Sequence, residues 1–477
     1  MNSAAVRHGG DYVLYWMTAN RRTGWNFALQ HAADLAEELD KPLVVLEALR
    51  CDYPFASDRL HRFVLQGMAD NARRLAGSAV NYFPFVERQR GQGKGLLAAL
   101  AGRACQVVTD LYPGFFLPRM VESAARRIDV RLDQVDSCGV LPLAAADSAF
   151  ALAHSFRRFL QQNLAVHLRA FPQADPLAGR SLRPVRRLPR EVTDAYPRAS
   201  DELLAAAPSA LARLPIDHEV GVVQLDGGAA AGQRALDRFV ADGLERYEQD
   251  RNHPDRDGTS GLSPWLHFGH VSAHQVVHEV LQHERWDEGK LASRATGARA
   301  GWWGVGTSAE AFLDQVVTWR ELGFNAAFRM PAYDTYESLP SWARRTLEKH
   351  ASDRRQHVVS LAEMEAAATQ DRVWNAAQRQ LRSEGRLHNY LRMLWGKKIL
   401  EWSRDPTEAL ERMTRLNDRW ALDGRDPNST SGIFWVMGRY DRPWGPERDV
   451  VGTVRYMSSA NTVRKVRMVR YLERWTP

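Results

Sequence analysis

From Asp11 to Val135, short apolar runs of strand length alternate with amphipathic stretches of helical period, and this alternation constrains the fold more than any other feature. Asp11–Met17 (DYVLYWM), Pro42–Leu49 (PLVVLEAL), Asn81–Glu87 (NYFPFVE), Gln106–Leu111 (QVVTDL) and Val130–Val135 read as buried strands. Between them, Trp25–Leu39, Arg59–Leu75 and Leu96–Ala101 carry apolar residues at helical spacing. Helices between successive strands imply crossover connections, and so a parallel, Rossmann-like sheet with helices on both faces. Ligands of such sheets sit beyond the carboxyl ends of the strands. The glycine-rich Gly91–Gly95 (GQGKG) precedes a helix but lacks the Ser/Thr of a P-loop, and reads as a turn.

The character of the chain changes after Leu141. Ala145–Arg169 is helical by period; the Pro- and Arg-rich segment that follows has five arginines and no acid from Arg180 to Arg190, and reads as a connector over the surface. Beyond Asp201 the periodic segments are helical: Gln233–Gln249, Ser272–Gln282, Ala309–Arg320, Pro340–His350, Leu361–Thr369, Trp374–Glu384, Leu387–Trp402 and Pro406–Leu416. The predicted organisation is an α/β domain over 1–140, a connector over 141–200 and an all-α domain over 201–477.

Composition narrows the function classes. Of 477 residues 44% are hydrophobic and 25% charged, which suits a globular protein with a sizeable core. No apolar run reaches the roughly 18 residues of a membrane span, and Met1–Gly10 lacks the apolar stretch of a secretory signal. The three cysteines have no CxxC spacing, so the expectation is a protein of the reducing cytoplasm, monomeric and without membrane partners. The chain has a net charge of +7. From Arg439 to Pro477 it carries nine Lys/Arg against four Asp/Glu, a basic stretch that fits either a solvated face or a polyanionic partner, nucleic acid first.

Standard hydrolytic and metal motifs are missing: there is no GxSxG, Walker A or HExxH. His267, His270, His274 and His278 recur at spacings of three, four and four, without a glutamate to complete a zinc site, and read as core or capping residues. More chemistry lies in Asp257–His270 (DGTSGLSPWLHFGH). There Thr259, Ser260 and Ser263 offer hydroxyls near Gly258 and Gly261 before a helix, an arrangement suited to a diphosphate or to an ordinary helix cap. In Leu387–Trp402, Trp395 and Trp402 are seven residues apart, on one helix face and about 10 Å apart along the axis. Two such indoles suit a core, and equally electron hopping toward a redox cofactor. Arg392 lies one turn earlier on the same side, and Asn417 with Leu422–Asn428 (LDGRDPN) brings carboxylates and an amide to an expected loop. Trp435, Trp444 and Arg455 follow in a basic, glycine-broken stretch, where interleaved aromatics and arginines fit a nucleic acid with a base splayed out.

Taken in order, TSGLSPWLHFGHVSAH, FLDQVVTWRELGFN, YDTYESLPSWARRTLEKH, VWNAAQRQL, HNYLRMLWGKKILEW, LNDRWALDGRDPN and GRYDRPWGPER…GTVRYMSS resemble the class II DNA photolyases, and the resemblance begins at YVLYWMTANRRTGWNFALQ. It implies light-driven splitting of cyclobutane pyrimidine dimers in UV-damaged DNA, by electron transfer from reduced FAD to a flipped-out dimer. It also implies an all-α FAD-binding domain behind the α/β domain, which in this family can hold an antenna chromophore (deazaflavin, folate or FMN). By resemblance, Thr259, Ser260, Leu262 and Ser263 line the FAD diphosphate. Arg392 and Asp423 form an ion pair beside the isoalloxazine, and Asn417 faces its N5. Trp395, Trp374 and Trp402 form a photoreduction chain from proximal to distal. Trp319 and Trp435 pack against the extruded dimer, and Arg455 enters the space it leaves. On this reading the protein associates with the nucleoid when bound to DNA.

Two departures stand out. Many members carry a glutamate where this chain has Gln315, in FLDQVVTW; an amide donates hydrogen bonds to a dimer but cannot act as an acid. His274-Gln275 stands where several members have Gln-Arg. Gln315 leans toward a rival, a cryptochrome-like photoreceptor with weak or no repair. Trp319, Trp435, Arg455 and the basic C-terminal stretch lean toward repair. A third reading, a helical DNA-binding protein with no redox role, leaves Arg392, Asn417 and Asp423 unexplained.

Overall fold

A computed structural model describes residues 1–185 and 187–477. Arg186, one of the five connector arginines, lies outside the described residues. The chain divides into two compact units that interleave along the sequence: 1–143, 166–236 and 262–278 in the first, and 144–165, 237–261 and 279–477 in the second. This partition differs from the three contiguous segments expected at 1–140, 141–200 and 201–477.

The first unit is built on a five-stranded parallel sheet of order β3-β2-β1-β4-β5, with β1 Tyr12–Met17, β2 Leu43–Leu49, β3 Asn81–Val86, β4 Ala104–Leu111 and β5 Leu132–Asp136. Its crossovers are α1 Phe27–Glu38, α2 Asp58–Leu75, α3 Leu96–Ala101 and α4 Leu117–Ala125, the last not anticipated. Alternation along β1 decides what each face buries. Tyr12, Leu14 and Trp16 join a core with Leu96 and Leu100 of α3 and Val121 of α4. Val13, Tyr15 and Met17 join Ala28, Leu29, Ala32 and Ala36 of α1 on the other face. Asn26 starts α1 by accepting from the N–H of Ala28 (2.9 Å) and Leu29 (3.2 Å).

At the switch point between β1 and β4, where such sheets take ligands, the loop after β1 closes on a side chain of its own. The Asp110 carboxylate accepts from the backbone N–H of Thr18 (2.8 Å), Ala19 (2.8 Å) and Asn20 (3.0 Å) and from the Tyr15 hydroxyl (2.7 Å). Three converging N–H groups make an anion nest, and a protein carboxylate fills it. The GQGKG turn is filled similarly, since the Gly93 N–H donates to Glu87 at 2.9 Å. The connector packs back on the sheet instead of running free. Leu188 and Val192, the latter on the short Arg190–Ala195 helix, join one core face, and Arg180 pairs with Asp34 and Glu37 of α1.

The histidine run, within the first unit, serves packing. His270 is buried, stacks on Phe63 at 5.2 Å and accepts from the Gly228 N–H at 2.9 Å; burial lowers its pKa to about 3, so it stays neutral. His274 meets the edges of Phe27 and Phe171, and His278 packs on Trp25.

The second unit is helical. Expected helices appear as Ser341–Lys349, Leu361–Ala366, Arg372–Glu384, Asn389–Trp402 and Pro406–Trp420. Three departures bear on the site. The 309–320 helix is Thr307–Leu313 followed by a π-helical turn, Asp314–Trp319, and it continues as Arg320–Arg329. The Pro406–Trp420 helix runs four residues past Leu416, so Asn417 sits on its last turn and not in a loop. The stretch around Trp435 is a further helix, Pro427–Val436, begun by Asp426 accepting from the Asn428 N–H at 2.8 Å. Among the described residues, no helix is long and apolar enough to cross a membrane. Cys51, Cys105 and Cys138 form no disulfide.

Candidate functional site

The Asn389–Trp402 helix organises the site, because neighbouring helices come close enough to share its side chains. A Cβ at Gly396 would meet Val436 Cγ2 at 2.7 Å and the Met413 sulfur at 3.2 Å, so a side chain there would push both neighbours away. On this helix Arg392 donates to both Asp423 oxygens, at 2.9 and 3.1 Å, and to Ser429 Oγ at 3.2 Å. Asp423 reaches it through a tight turn after the Pro406–Trp420 helix. At Gly424 a Cβ would lie 2.9 Å from the Asn417 carbonyl oxygen. Asn417 completes the cluster, its Nδ2 3.1 Å from Ser429 Oγ and 2.9 Å from Asp418 Oδ1. Asn417, Asp423 and Ser429 are all buried. Sequence periodicity left Ser429 unnoticed; it is one more polar residue in a segment not expected to be helical.

Beside this polar cluster lies a ladder of indoles. Trp374 and Trp395 stack with centroids 6.3 Å apart and planes within 3°, and Trp374 meets Trp402 edge-on at 5.6 Å. Trp374 thus bridges the two indoles that the seven-residue spacing placed on one face. It is fixed by an N–H bond to the Trp395 carbonyl at 3.0 Å, while the Trp395 N–H donates to Gln378 Oε1 at 2.9 Å. Gln378 lies one turn beyond Trp374, the only sequence signal that could have singled it out.

Buried polar groups that lack partners mark where a polar ligand fits. Among the described residues, Gln378 Nε2 and both ring nitrogens of His388, which precedes the Asn389–Trp402 helix, have no hydrogen-bond partner. Burial lowers the His388 pKa to about 4, so its ring is neutral, with one donor and one acceptor to offer. A fixed ion pair together with unmatched amide and imidazole groups suits a ligand with polar edges, as FAD is. Thr259 and Ser260 lie in the second unit in a loop with Gly261 at φ +66°, and Arg386 of the same unit pairs with Asp257 at 2.8 Å. Leu262 and Ser263 belong to the first unit, and Ser263 opens a helix of only five residues, Ser263–His267.

Gln315 and Trp319 share the Asp314–Trp319 π-turn, where both are half-buried. A bidentate pair anchors the turn from below: Arg157 donates to Asp314 at 2.7 and 3.1 Å, with both side chains buried, and to the Gly297 carbonyl at 3.2 Å. Nothing in the sequence signals Arg157, since its partner is 157 positions away. The following Arg320–Arg329 helix packs along Pro427–Val436, which carries the half-buried Trp435. Arg455 lies 5.4 Å from the Trp435 ring centroid and 4.0 Å from that of Trp444, and pairs with Asp441 at 3.2 Å. Asp441 also accepts the Trp444 N–H at 3.0 Å.

No family model matches the chain. Among solved structures, a class III photolyase of Agrobacterium tumefaciens (TM-score 0.70, 16% identity, 98% of this chain and 86% of that one) and a Synechocystis cryptochrome (TM-score 0.70, 15% identity, 99% and 89%) share the fold. Curated relatives are nearer in sequence. The deoxyribodipyrimidine photo-lyase of Methanothermobacter thermautotrophicus is 34% identical over 98% of this chain and 94% of its own length. That of Oryza sativa is 33% identical over 97% and 87%, and that of Potorous tridactylus 31% over 97% and 81%. Identity at that level over nearly the whole length, in a chain whose indole ladder and buried ion pair meet on one helix, means that it belongs to the deoxyribodipyrimidine photo-lyase family.

Proposed function

We propose that the protein repairs cyclobutane pyrimidine dimers in UV-damaged DNA under light, with FAD held against the Arg392–Asp423–Ser429–Asn417 cluster. The observation that carries this is the meeting of that cluster with the Trp374–Trp395–Trp402 ladder around a single helix. Bound there, reduced FAD would supply the light-driven one-electron chemistry that splits the dimer. The chain's residues do the rest. Arg392 and Asp423 hold a fixed charge pair beside the ring system. Asn417 offers a neutral amide that does not readily donate a proton. Thr259, Ser260, Leu262 and Ser263 bind the diphosphate through hydroxyl and backbone groups. The three tryptophans relay an electron inward from an external reductant. An antenna chromophore in the first unit (deazaflavin, folate or FMN) would widen the light absorbed.

Trp319 and Trp435 offer indole faces to an extruded dimer, and Arg455 supplies the cation that replaces it in the duplex. Stacking of this kind contributes about 1–3 kcal/mol per base. Trp435→Ala is therefore expected to weaken binding of a dimer-containing oligonucleotide by about that amount, and binding of the undamaged oligonucleotide far less. Equal losses would make Trp435 a general contact.

The deciding experiment illuminates the reduced, flavin-loaded protein with dimer-containing DNA and follows dimer loss. Dimers that persist would leave the second reading, a cryptochrome-like photoreceptor, which Gln315 favours because an amide cannot supply a proton to the dimer. In the same assay Gln315→Glu is expected to raise the yield per absorbed photon.

A further inference from the structure

Two residues past Trp395, the Asn389–Trp402 helix carries a lysine that none of the roles above uses. Lys397 is 3% exposed, and a buried ammonium is costly unless something in the fold needs it. Its Nζ donates to the Val436 carbonyl, at the end of the Pro427–Val436 helix, and lies 5.4 Å from the Trp435 ring centroid. The close approach at Gly396 brings it there. Trp435 is thus flanked by two cations, Lys397 and Arg455, each 5.4 Å from its centroid. The neighbouring Lys398 serves elsewhere, on Glu401 and the Trp402 ring.

We propose that Lys397 is a positioning residue for damaged DNA: its ammonium ties the Trp435 indole to the end of its helix and, with Arg455, sets the positive potential against which an extruded lesion stacks. The proposal rests on the reading that Trp435 contacts DNA. A desolvated cation this close to an indole is attracted by the ring face, whereas a neutral amine keeps only its hydrogen bond. The charged groups that bear on Lys397 are Asp441, which favours its proton, and Arg455, which opposes it. Burial outweighs both and lowers its pKa to about 7. The cation is therefore present below neutrality and lost as pH rises above about 7, a window in which neither an ordinary lysine nor an arginine changes charge.

The test compares affinities of the flavin-loaded protein, in the dark, for an oligonucleotide with one thymine dimer and for its undamaged counterpart. Taking the ratio cancels general salt and pH effects on DNA binding. In the native chain the preference for the dimer is expected to fall about tenfold from about pH 6 to about pH 9. Lys397→Met, which fills the same space without charge, should show the low preference throughout that range while folding at least as stably. Lys397→Arg should keep the high preference throughout. A methionine variant with the native preference and pH profile overturns the proposal, as does an arginine variant that declines in parallel with the native chain. If the native chain shows no preference for the dimer at any pH, the DNA role of Trp435 fails first and takes this inference with it.

Discussion

Arg157→Met is expected to destabilise the second unit by about 3–5 kcal/mol, because it leaves the Asp314 carboxylate buried without its cation. The loss has a local consequence beyond stability. A π-turn is an energetically poor way to continue a helix and persists where surrounding contacts hold it. Here the contacts are the two bonds from Arg157 to Asp314, the first residue of the turn, and the bond from Arg157 to the Gly297 carbonyl. Without them the turn should relax toward α-helical spacing and rotate Gln315 and Trp319 away from their present directions. Thermal unfolding followed by circular dichroism reads the first effect, and dimer-DNA binding well below the melting transition reads the second. Arg157→Met combined with Asp314→Leu removes the orphaned charge and should recover most of the stability but not the binding. Recovery of both would mean that the pair is only a structural tie.

The second large effect is expected at Trp374. It stacks in parallel on Trp395 and meets Trp402 edge-on, so it is the bridge between two indoles on another helix. Trp374→Phe removes the indole and its bond to the Trp395 carbonyl. Photoreduction of the bound flavin in the presence of a thiol should slow at least about tenfold, which corresponds to about 1.4 kcal/mol on the barrier. Repair by chemically pre-reduced protein should be nearly unchanged, since that reaction does not draw on the ladder. The lost bond is worth about 1 kcal/mol, too little to unfold the unit. Photoreduction at the native rate would remove Trp374 from the path.

The parallel sheet was legible in the sequence because its strands are buried on both faces, and a run such as DYVLYWM has no other comfortable home. Helices with a clear apolar stripe, such as Arg372–Glu384, were legible for the corresponding reason. Pro427–Val436 was not: it is apolar or small almost all round, has no stripe and follows a turn-like DGRD, so periodicity offered nothing. Trp435 was therefore placed only in a basic, glycine-broken stretch. The π-turn at Asp314–Trp319 was hidden because it keeps helical composition and changes only the hydrogen-bond step. The Arg/Pro-rich segment read as a connector over the surface, yet Leu188 and Val192 within it complete the core of the sheet.

By itself, the sequence determined the order of elements, the α/β-then-helical composition and, through ordered motifs, the family. Each of those depends on residues near one another along the chain. Only the tertiary structure decided which side chains meet. It joined Arg392 to Asp423 across 31 positions and Arg157 to Asp314 across 157, seated Trp374 between Trp395 and Trp402, and buried Lys397 against Trp435. Those contacts depend on helix packing at positions such as Gly396, where one missing side chain sets the distance between helices. A local pattern specifies a face, but not which partner that face will find.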